Sequence, residues 1–481
     1  MDRHRIVKGF PVRILFVSFL FACLFVVCFS ASNPPNGKAL YQQYCSSCHG
    51  IRLQGGNAQS LIDGVWQFGD ARGYIYRNIQ FGIPHLGMPS YDQTLNRKEI
   101  QAIVDYLEQE EAAAGATKPP IPKQLETLDY MLDVQVIAEG LDVPWAIAFI
   151  DKNTILVTER PGRVRLIENG QLDPTPLKNT PEVLSEGQGG MLDVAVDPAY
   201  PENGCIYLAY SHALSQQLGQ RRPPAMTRIV RGRIKDHTWT DQKVLFESPK
   251  KTYLTTRHHY GCRIVFDRKG HLFFGIGDRG RQDDAQNLSL PNGKIYRIYL
   301  DGRCPKDNPF YGKKDALPEI LAYGIRNPQG LAIHPQTDRL WETEHGPLGG
   351  DEINLIRPGR NYGWPEITYG KNYNGTIISK YREKAGMEQP VYYWRPSIAV
   401  CGMDFITGEM FPKWKHYLLV TALKYEEVRL LNVKDDRVLH DEVILKNAGR
   451  VRDAACGPDG AIYPVLNNPG TILRLTPTSI K

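Results

Sequence analysis

The part of this sequence that most constrains its fold is a weak repeat that fills the chain after about residue 128. In each copy an apolar, strand-like run leads into a turn rich in Asp, Pro and Gly, and a second apolar run follows. The six copies begin at Ala146, Val194, Arg263, Leu331, Met403 and Asp453. Starts roughly 50 to 70 residues apart are close to the length of a four-stranded propeller blade with its loops. The repeat predicts an all-β, six-bladed β-propeller, because a two-sheet sandwich would not explain six recurrences.

A smaller unit lies before the repeat. Between Glu108 and Leu128 the apolar periodicity stops, and the chain carries a run of alanines and the pair Pro119-Pro120. This composition is typical of a linker. The sequence therefore predicts four regions: a signal peptide or membrane anchor over 1–32, a small all-α domain over 34–111, a linker over 112–127 and the propeller over 128–481.

The N-terminus has the pattern of a targeting segment. Arg3, Arg5, Lys8 and Arg13 precede an apolar run that extends from Ile14 to about Ser30. This pattern predicts export, which places the protein in the periplasm. Small residues at 30–32 suit cleavage, whereas the run approaches the roughly 17–25 residues that span a bilayer. A retained anchor on the outer face of the inner membrane therefore stays open beside a cleaved signal.

The small unit contains the sequence Cys45-Ser46-Ser47-Cys48-His49, which has the spacing of a covalent haem attachment site. In such a site the two thiols bond to the haem vinyl groups and the histidine ligates the iron. A zinc site or a redox CxxC pair is the alternative interpretation. The motif predicts haem c bound through Cys45, Cys48 and His49.

The sixth iron ligand should come from the loop between the two helices predicted around residues 37–45 and 95–111. Met88 is the only methionine in that loop, and His85 is the competing ligand. Thioether ligation raises the reduction potential, which suits an electron acceptor. In the second helix Asn96 is a candidate N-cap, and one face carries Ile100, Ile103, Val104 and Leu107. The whole unit resembles the class I cytochromes c.

The net charge and the cysteine content limit the classes of protein to which this chain can belong. The net charge of +6 comes without a dense Lys/Arg run beyond the N-terminus, which excludes a nucleic-acid-binding protein. Outside the N-terminal segment and the haem motif, the remaining cysteines are Cys205, Cys262, Cys304, Cys401 and Cys456. This odd number leaves at least one thiol unpaired, and an oxidising compartment permits either disulfides or buried thiols for the rest.

Six segments of the repeat unit together resemble the soluble quinoprotein glucose and aldose sugar dehydrogenases, including the glucose/sorbosone dehydrogenase group. They are ERPGRVRLIENG, GQGGMLDVAVDP, HHYGCRIVFDRKGHLFFGIGDRG, YGIRNPQGLAIHP, EHGPLGGDEINLI with NYGWP, and GRVRDAACGPDGAIY. They occur in the family's order across nearly all of residues 130–477. The resemblance implies oxidation of an aldose at its anomeric carbon to a lactone, with pyrroloquinoline quinone (PQQ) and Ca²⁺ as cofactors. Electrons would then pass to the haem and on to a downstream acceptor of the respiratory chain.

The resemblance also assigns roles to residues of this sequence. His259 is implied as the base that takes the hydroxyl proton, with His258 as the competing residue, and Asp278 as the group that orients the imidazole. The quinone carries three carboxylates, which call for cations and planar donors. The implied quinone-binding residues are Gln188, Arg326, Asn327, Lys424, Arg450 and Arg452. The implied Ca²⁺ ligands are the backbone carbonyls of Gly346 and Pro347.

Two other functions remain as alternatives. One is a redox-linked sugar-binding propeller without dehydrogenase activity, against which the presence of His259, Asp278 and Arg326 argues. The other is a lactonase-like hydrolase, which would need side-chain acids around a central metal rather than cations for a tricarboxylate.

Overall fold

The computed structural model describes residues 34–64, 66, 72–83, 87–115, 120–216 and 222–480. The predicted targeting segment and His85 lie outside these residues. None of the helices within the described ranges is both long and apolar enough to cross a membrane.

The described part of the N-terminal domain contains four α-helices. They are α1 (Gly37–Tyr44), α2 (Ser46–His49), α3 (Arg72–Phe81) and α4 (Arg97–Ala113). Helices α1 and α4 cross so closely that a Cβ atom at Gly37 would lie 2.0 Å from the carbonyl oxygen of Ala102. Glycine is therefore required at this crossing. The ring centroids of Tyr41 and Tyr106 lie 5.6 Å apart and extend the same contact.

Helix α4 begins where the sequence predicts. The Asn96 side chain accepts hydrogen bonds from the backbone N–H groups of Lys98 and Glu99, and the Glu99 carboxylate accepts from the N–H of Asn96. This reciprocal arrangement satisfies N–H groups that the first turn leaves free. The residues that α4 buries are the four predicted ones, Ile100, Ile103, Val104 and Leu107.

The rest of the described chain forms six antiparallel sheets, each a propeller blade. Blade 1 consists of β3 (Pro144–Phe149), β4 (Thr154–Glu159), β5 (Arg163–Glu168) and β6 (Gln171–Leu172). Blade 2 consists of β7 (Met191–Val196), β8 (Ile206–Ala213), β9 (Ala225–Lys235) and β10 (Thr238–Glu247). Blade 3 consists of β11 (Ile264–Phe266), β12 (His271–Ile276), β13 (Lys294–Tyr299) and β14 (Ile320–Tyr323). Blade 4 consists of β15 (Pro328–Ile333), β16 (Leu340–Glu344), β17 (Asp351–Ile356) and β18 (Tyr392–Trp394). Blade 5 consists of β19 (Val400–Phe405), β20 (Leu418–Ala422), β21 (Glu427–Lys434) and β22 (Arg437–Lys446). A short helix, α5 (Tyr200–Asn203), joins β7 to β8.

Blade 6 closes the ring with strands from both ends of the propeller segment. It contains β23 (Arg450–Cys456), β24 (Ile462–Asn468) and β25 (Thr471–Ile480), together with β2 (Tyr130–Ala138) and β1 (Gln124–Glu126). Strand β2 pairs antiparallel with β25, so the first and last parts of the propeller segment are joined in one sheet. Strand β1 lies inside the segment 112–127 that the sequence assigns to the linker, because three residues are too few for an apolar alternation to show.

The prediction of a six-bladed propeller is confirmed. Each of the six repeat copies begins within a few residues of the first strand of a blade, and the first strands of neighbouring blades pack against one another around the centre. Arg263 links four blades there: its guanidinium lies 2.9 Å from Asp193 and 3.0 Å from Asp453, and it stacks over the Trp145 ring. This buried contact fixes the start of β11, directly after the predicted catalytic segment.

Candidate active site and haem site

A cavity of about 450 Å³ opens where the loops that precede the inner strands meet. This volume falls in the range of about 300–1,000 Å³ that is usual for small-molecule sites. Seven of the residues predicted from the sequence line it: Gln188, His259, Arg326, Gly346, Lys424, Arg450 and Arg452. They converge because most of them stand just before or at the start of an inner strand, and these strands enter the ring at the same face.

His259 and Asp278 form a hydrogen-bonded pair in this cavity wall. His259 Nδ1 lies 2.6 Å from Asp278 Oδ1, which leaves Nε2 as the ring nitrogen available for a ligand. Asp278 is held in turn by the backbone N–H of Gly280 at 2.7 Å and by Trp364 Nε1 at 2.8 Å. The pair has the geometry of an oriented general base.

Burial and charge keep this histidine neutral. Burial first, and then the Arg326 guanidinium, lower the pKa of His259 to about 4, against the opposing effect of Asp278. Burial would raise the pKa of Asp278, yet its hydrogen bond with His259 and the charge of Arg326 hold that pKa below its ordinary value. At neutral pH the pair is therefore an imidazole beside a carboxylate, and the imidazole can accept a proton.

The backbone at His259 is also specialised. Its φ of +56° lies in the left-handed region, which is uncommon for a residue other than glycine and is often found at functional sites. The N–H of His259 donates to Gln188 Oε1 at 2.8 Å, which ties the histidine to the loop before β7. His258 is exposed and is not among the residues that line the cavity, and its ring lies beside Gly280. The structure places His259 at the cavity, as predicted, and not its neighbour.

The predicted quinone-binding residues differ in their hydrogen-bond partners and in whether they line the cavity. Arg326 Nη1 donates to the carbonyl oxygens of His345 at 2.6 Å and Gly346 at 2.8 Å. Arg452 Nη1 donates to Gln329 Oε1 at 2.9 Å. Asn327 lies behind the cavity wall, where its Oδ1 accepts from Gln329 Nε2 at 3.1 Å. In this structure Asn327 therefore shapes the wall rather than faces a ligand.

Three buried nitrogen atoms of the propeller residues that line the cavity lack a hydrogen-bond partner among the residues that the structure describes. They are Arg160 Nε, His345 Nε2 and Arg452 Nε. A buried donor without a partner costs free energy, so such groups usually serve a ligand. Two of the three belong to guanidinium groups, which bind carboxylates in planar fashion. These atoms fit a ligand that carries several carboxylates.

Several cavity residues were missed by the sequence predictions. Arg160, His345, Gln329 and Tyr373 all line the cavity. Arg160 and His345 lie within segments that resemble the family, and His345 adjoins the predicted Gly346, so their position in those segments was the available signal. Tyr373 belongs to the loop 370–390, which matches no family segment, and nothing in the sequence indicated it.

The predicted Ca²⁺ ligands have protein partners in this structure. The carbonyl oxygen of Gly346 accepts from Arg326, and that of Pro347 accepts from Ser397 Oγ at 2.8 Å. Asp351 accepts from the N–H groups of Gly346 and Val400, so its carboxylate holds the turn. Within the described ranges no group of three or more His, Cys, Asp or Glu side chains is arranged to hold a metal ion. A Ca²⁺ ion at the Gly346 and Pro347 carbonyls stays a prediction from the family resemblance, and no chemical step is derived from one.

The five cysteines that the structure describes outside the haem motif are all free thiols. Cys401 is fully buried, and its Sγ accepts from Arg452 Nη1 at 3.2 Å. Cys262 is also fully buried, next to the strand that follows His259. The structure therefore supports the alternative of buried thiols for these two residues.

The haem motif lies on α2 and the turn before it. His49 Nδ1 lies 2.8 Å from the carbonyl oxygen of Gln59, a contact that fixes the ring and leaves Nε2 for the iron. Cys45 and Cys48 are unpaired thiols, as haem attachment requires. Met88 is half-buried and packs against the apolar core of the domain. His85 lies outside the described residues, so the choice between the two remains a prediction.

We expect the Met88→Ala variant to lose the weak near-infrared band of sulfur-ligated ferric haem and to have a lower reduction potential. The physical reason is that a thioether stabilises ferrous iron relative to stronger donors. Absorption spectroscopy and redox titration of the purified protein measure both quantities. His85→Ala is the matched control; if that variant loses the band and Met88→Ala keeps it, the assignment is wrong.

Fold and site together define a class: a six-bladed propeller with an oriented histidine in a cationic cavity, joined to a cytochrome c domain. The chain belongs to the glucose/sorbosone dehydrogenase family, whose model matches residues 141–474. Residues 32–107 match the model of the cbb3-type cytochrome c oxidase subunit III, which confirms the predicted cytochrome domain.

Named relatives agree with this assignment. The aldose sugar dehydrogenase YliI of Escherichia coli K12 is 41% identical over 353 residues, which cover 72% of this chain and 93% of that protein. The solved apo-form of the soluble aldose sugar dehydrogenase from Escherichia coli superposes with a TM-score of 0.67 at 38% identity, covering 72% of this chain and 99% of that one. The PQQ-bound form of an aldose sugar dehydrogenase from Streptomyces coelicolor gives a TM-score of 0.58 at 25% identity, covering 74% and 99%.

Proposed function

We propose that this protein is a PQQ-dependent aldose dehydrogenase that oxidises the sugar at its anomeric carbon to a lactone and delivers the electrons to its own haem. The observation that carries the proposal is the His259–Asp278 pair, which stands in the wall of a cavity towards which cations converge. A base of this kind is needed to remove a hydroxyl proton, and the cations suit a tricarboxylate cofactor.

The charge of the cavity supports the quinone. Its cationic lining residues are Arg77, Arg160, Arg326, Lys424, Arg450 and Arg452, whereas its acidic lining residue is Asp351. The unpartnered Nε atoms of Arg160 and Arg452 would donate to the carboxylates. A lactonase-like hydrolase would instead need carboxylates around a metal, which this excess of positive charge disfavours.

When bound, PQQ supplies a carbonyl carbon that accepts hydride. The aldose loses a hydride from C1 and the proton of its anomeric hydroxyl, and the carbon becomes the carbonyl of the lactone. Nε2 of His259 accepts that proton, and Asp278 stabilises the resulting imidazolium through the hydrogen bond at Nδ1. This geometry also argues against a propeller that only binds sugar, because binding alone needs no oriented base.

The N-terminal domain supports a role as the electron acceptor. Cys45, Cys48 and His49 would hold haem c, with Met88 as the sixth ligand, and the haem would take the two electrons of each sugar one at a time. A further acceptor of the respiratory chain would follow. The basic residues and apolar run at the N-terminus support a periplasmic location, with membrane association if the run is retained.

Reconstitution of the purified protein tests the proposal. Apoprotein is mixed with PQQ, with and without Ca²⁺, and a panel of aldoses is screened by reduction of an artificial dye. We expect dye reduction only when the quinone and an aldose are both present. Quinone binding without dye reduction for any aldose would favour the binding propeller, and hydrolysis of lactones without quinone would favour the lactonase. A requirement for added Ca²⁺ would test the family-based prediction of that ion.

A further inference from the structure

One residue that lines the propeller cavity comes from the cytochrome domain. Arg77 lies on α3, and its guanidinium carbon is 5.2 Å from the centroid of the Tyr373 ring in the propeller loop 370–390. A Cβ atom at Gly375 would lie 3.9 Å from Phe81 Cε1, an ordinary van der Waals contact. Helix α3 therefore lies beside the propeller at the edge of the cavity, with Arg77 near Tyr373 and the Phe81 ring near Gly375.

The position of Arg77 adds positive charge to a site that already has an excess of it. Burial first, and then the charge of Arg77, lower the pKa of Lys424 to about 8. The acidic lining residue, Asp351, already accepts hydrogen bonds from the N–H groups of Gly346 and Val400. Docking of α3 therefore places the charge of Arg77 near that of Lys424 in a partly desolvated space, where like charges repel each other.

We infer that quinone binding and docking of the cytochrome domain stabilise each other, with Arg77 as the residue that couples them. The inference rests on the proposed function, because the anion is taken to be PQQ. Its carboxylates would attract the guanidinium of Arg77, which lines the cavity. Coupling between two binding events is reciprocal, so whatever removes Arg77 from the cavity must weaken quinone binding as well. The haem domain would then dock preferentially on propellers that hold the quinone.

Equilibrium titration of full-length apoprotein with PQQ tests this coupling, with tryptophan fluorescence or calorimetry as the readout. We expect Arg77→Gln to raise the Kd for PQQ by at least about fivefold, the lower end of common coupling strengths. Arg77→Lys, which keeps the charge, should retain part of the affinity. Arg72→Gln is the matched control, because Arg72 lies on the same helix but pairs with Asp105 and Glu108 of its own domain.

A second variant separates docking from a direct charge contact. Phe81→Ala removes the apolar ring that lies near Gly375 of the propeller without changing any charge, so it should weaken PQQ binding only through weaker docking. In the double variant the two effects should fall short of additivity, because both act through the same docked state. The haem absorption spectrum checks that the N-terminal domain stays folded in each variant.

The outcomes distinguish this inference from the proposed function. Failure of the wild-type protein to bind PQQ would overturn both. Tight binding by the wild type with an unchanged Kd in Arg77→Gln would overturn the coupling and leave the dehydrogenase proposal standing. An equal loss of affinity in Arg72→Gln would also overturn it, because the effect would then reflect net charge rather than the position of Arg77.

Discussion

Replacement of His259 by alanine is expected to lower sugar turnover by about 10²–10⁴-fold, the usual contribution of a general base. The reason is that Nε2 of His259 is the nitrogen left open to the cavity once Asp278 engages Nδ1 at 2.6 Å. PQQ affinity should change much less, because the cations and their donors stay in place. Dye-coupled steady-state kinetics of the reconstituted variant measure the loss, and a PQQ titration measures the retained affinity.

His258→Ala is the matched control for this variant. The rings of His258 and His259 lie 5.4 Å apart, so the same chemical group is removed from an adjacent position that does not line the cavity. We expect turnover near that of the wild type. Near-normal turnover in His259→Ala, or a loss of similar size in both variants, would contradict the assignment of the base.

The blades could be predicted because the sequence pattern of each blade lies within a short stretch of the chain. Each inner strand carries a short apolar run followed by an Asp, Pro or Gly turn, and six such runs are enough to define a propeller. Helix α4 could be predicted for the same reason, because its N-cap at Asn96 and the residues of its apolar face are close together in the sequence. Strand β1 has no such local pattern, and pairing with β2 alone makes it a strand.

The residues of the candidate site also fall into two groups, those that a local sequence pattern could predict and those that it could not. His259, Arg326 and Arg452 adjoin inner strands within segments that resemble the family, so motif and position could both be recognised. Trp364, which holds Asp278 from 86 residues away, and Tyr373, which lies in a loop without a family match, depend on how distant segments pack. Arg77 depends on contact between two domains, which no single-domain motif encodes.

These contacts also bear on why the two domains share a chain. In the proposed reaction the quinone would release two electrons per sugar, whereas a haem takes one at a time, so the haem would be reduced and reoxidised twice in each cycle. Arg77 and Phe81 bring α3 to the edge of the cavity rather than to the outside of a blade. In the proposed relay, a domain docked at this position would shorten the path from the cavity to the haem.

Sugar added to the oxidised, quinone-loaded protein in a rapid-mixing experiment is therefore expected to reduce the haem at a rate independent of protein concentration. The short segment between α4 and β1, residues 114–123, gives the haem an effective concentration on the order of millimolar at the propeller. At roughly micromolar protein, transfer within one molecule should exceed transfer between molecules by about a thousandfold.

Lengthening the linker provides the control for this prediction. A flexible Gly/Ser insertion between the two domains should slow haem reduction by several-fold while leaving dye reduction unchanged, because effective concentration falls with about the −3/2 power of linker length. Absorbance of the reduced haem is followed at several protein concentrations for both proteins. A rate that rises in proportion to protein concentration would show that electrons pass between molecules, and the intramolecular route would then be wrong.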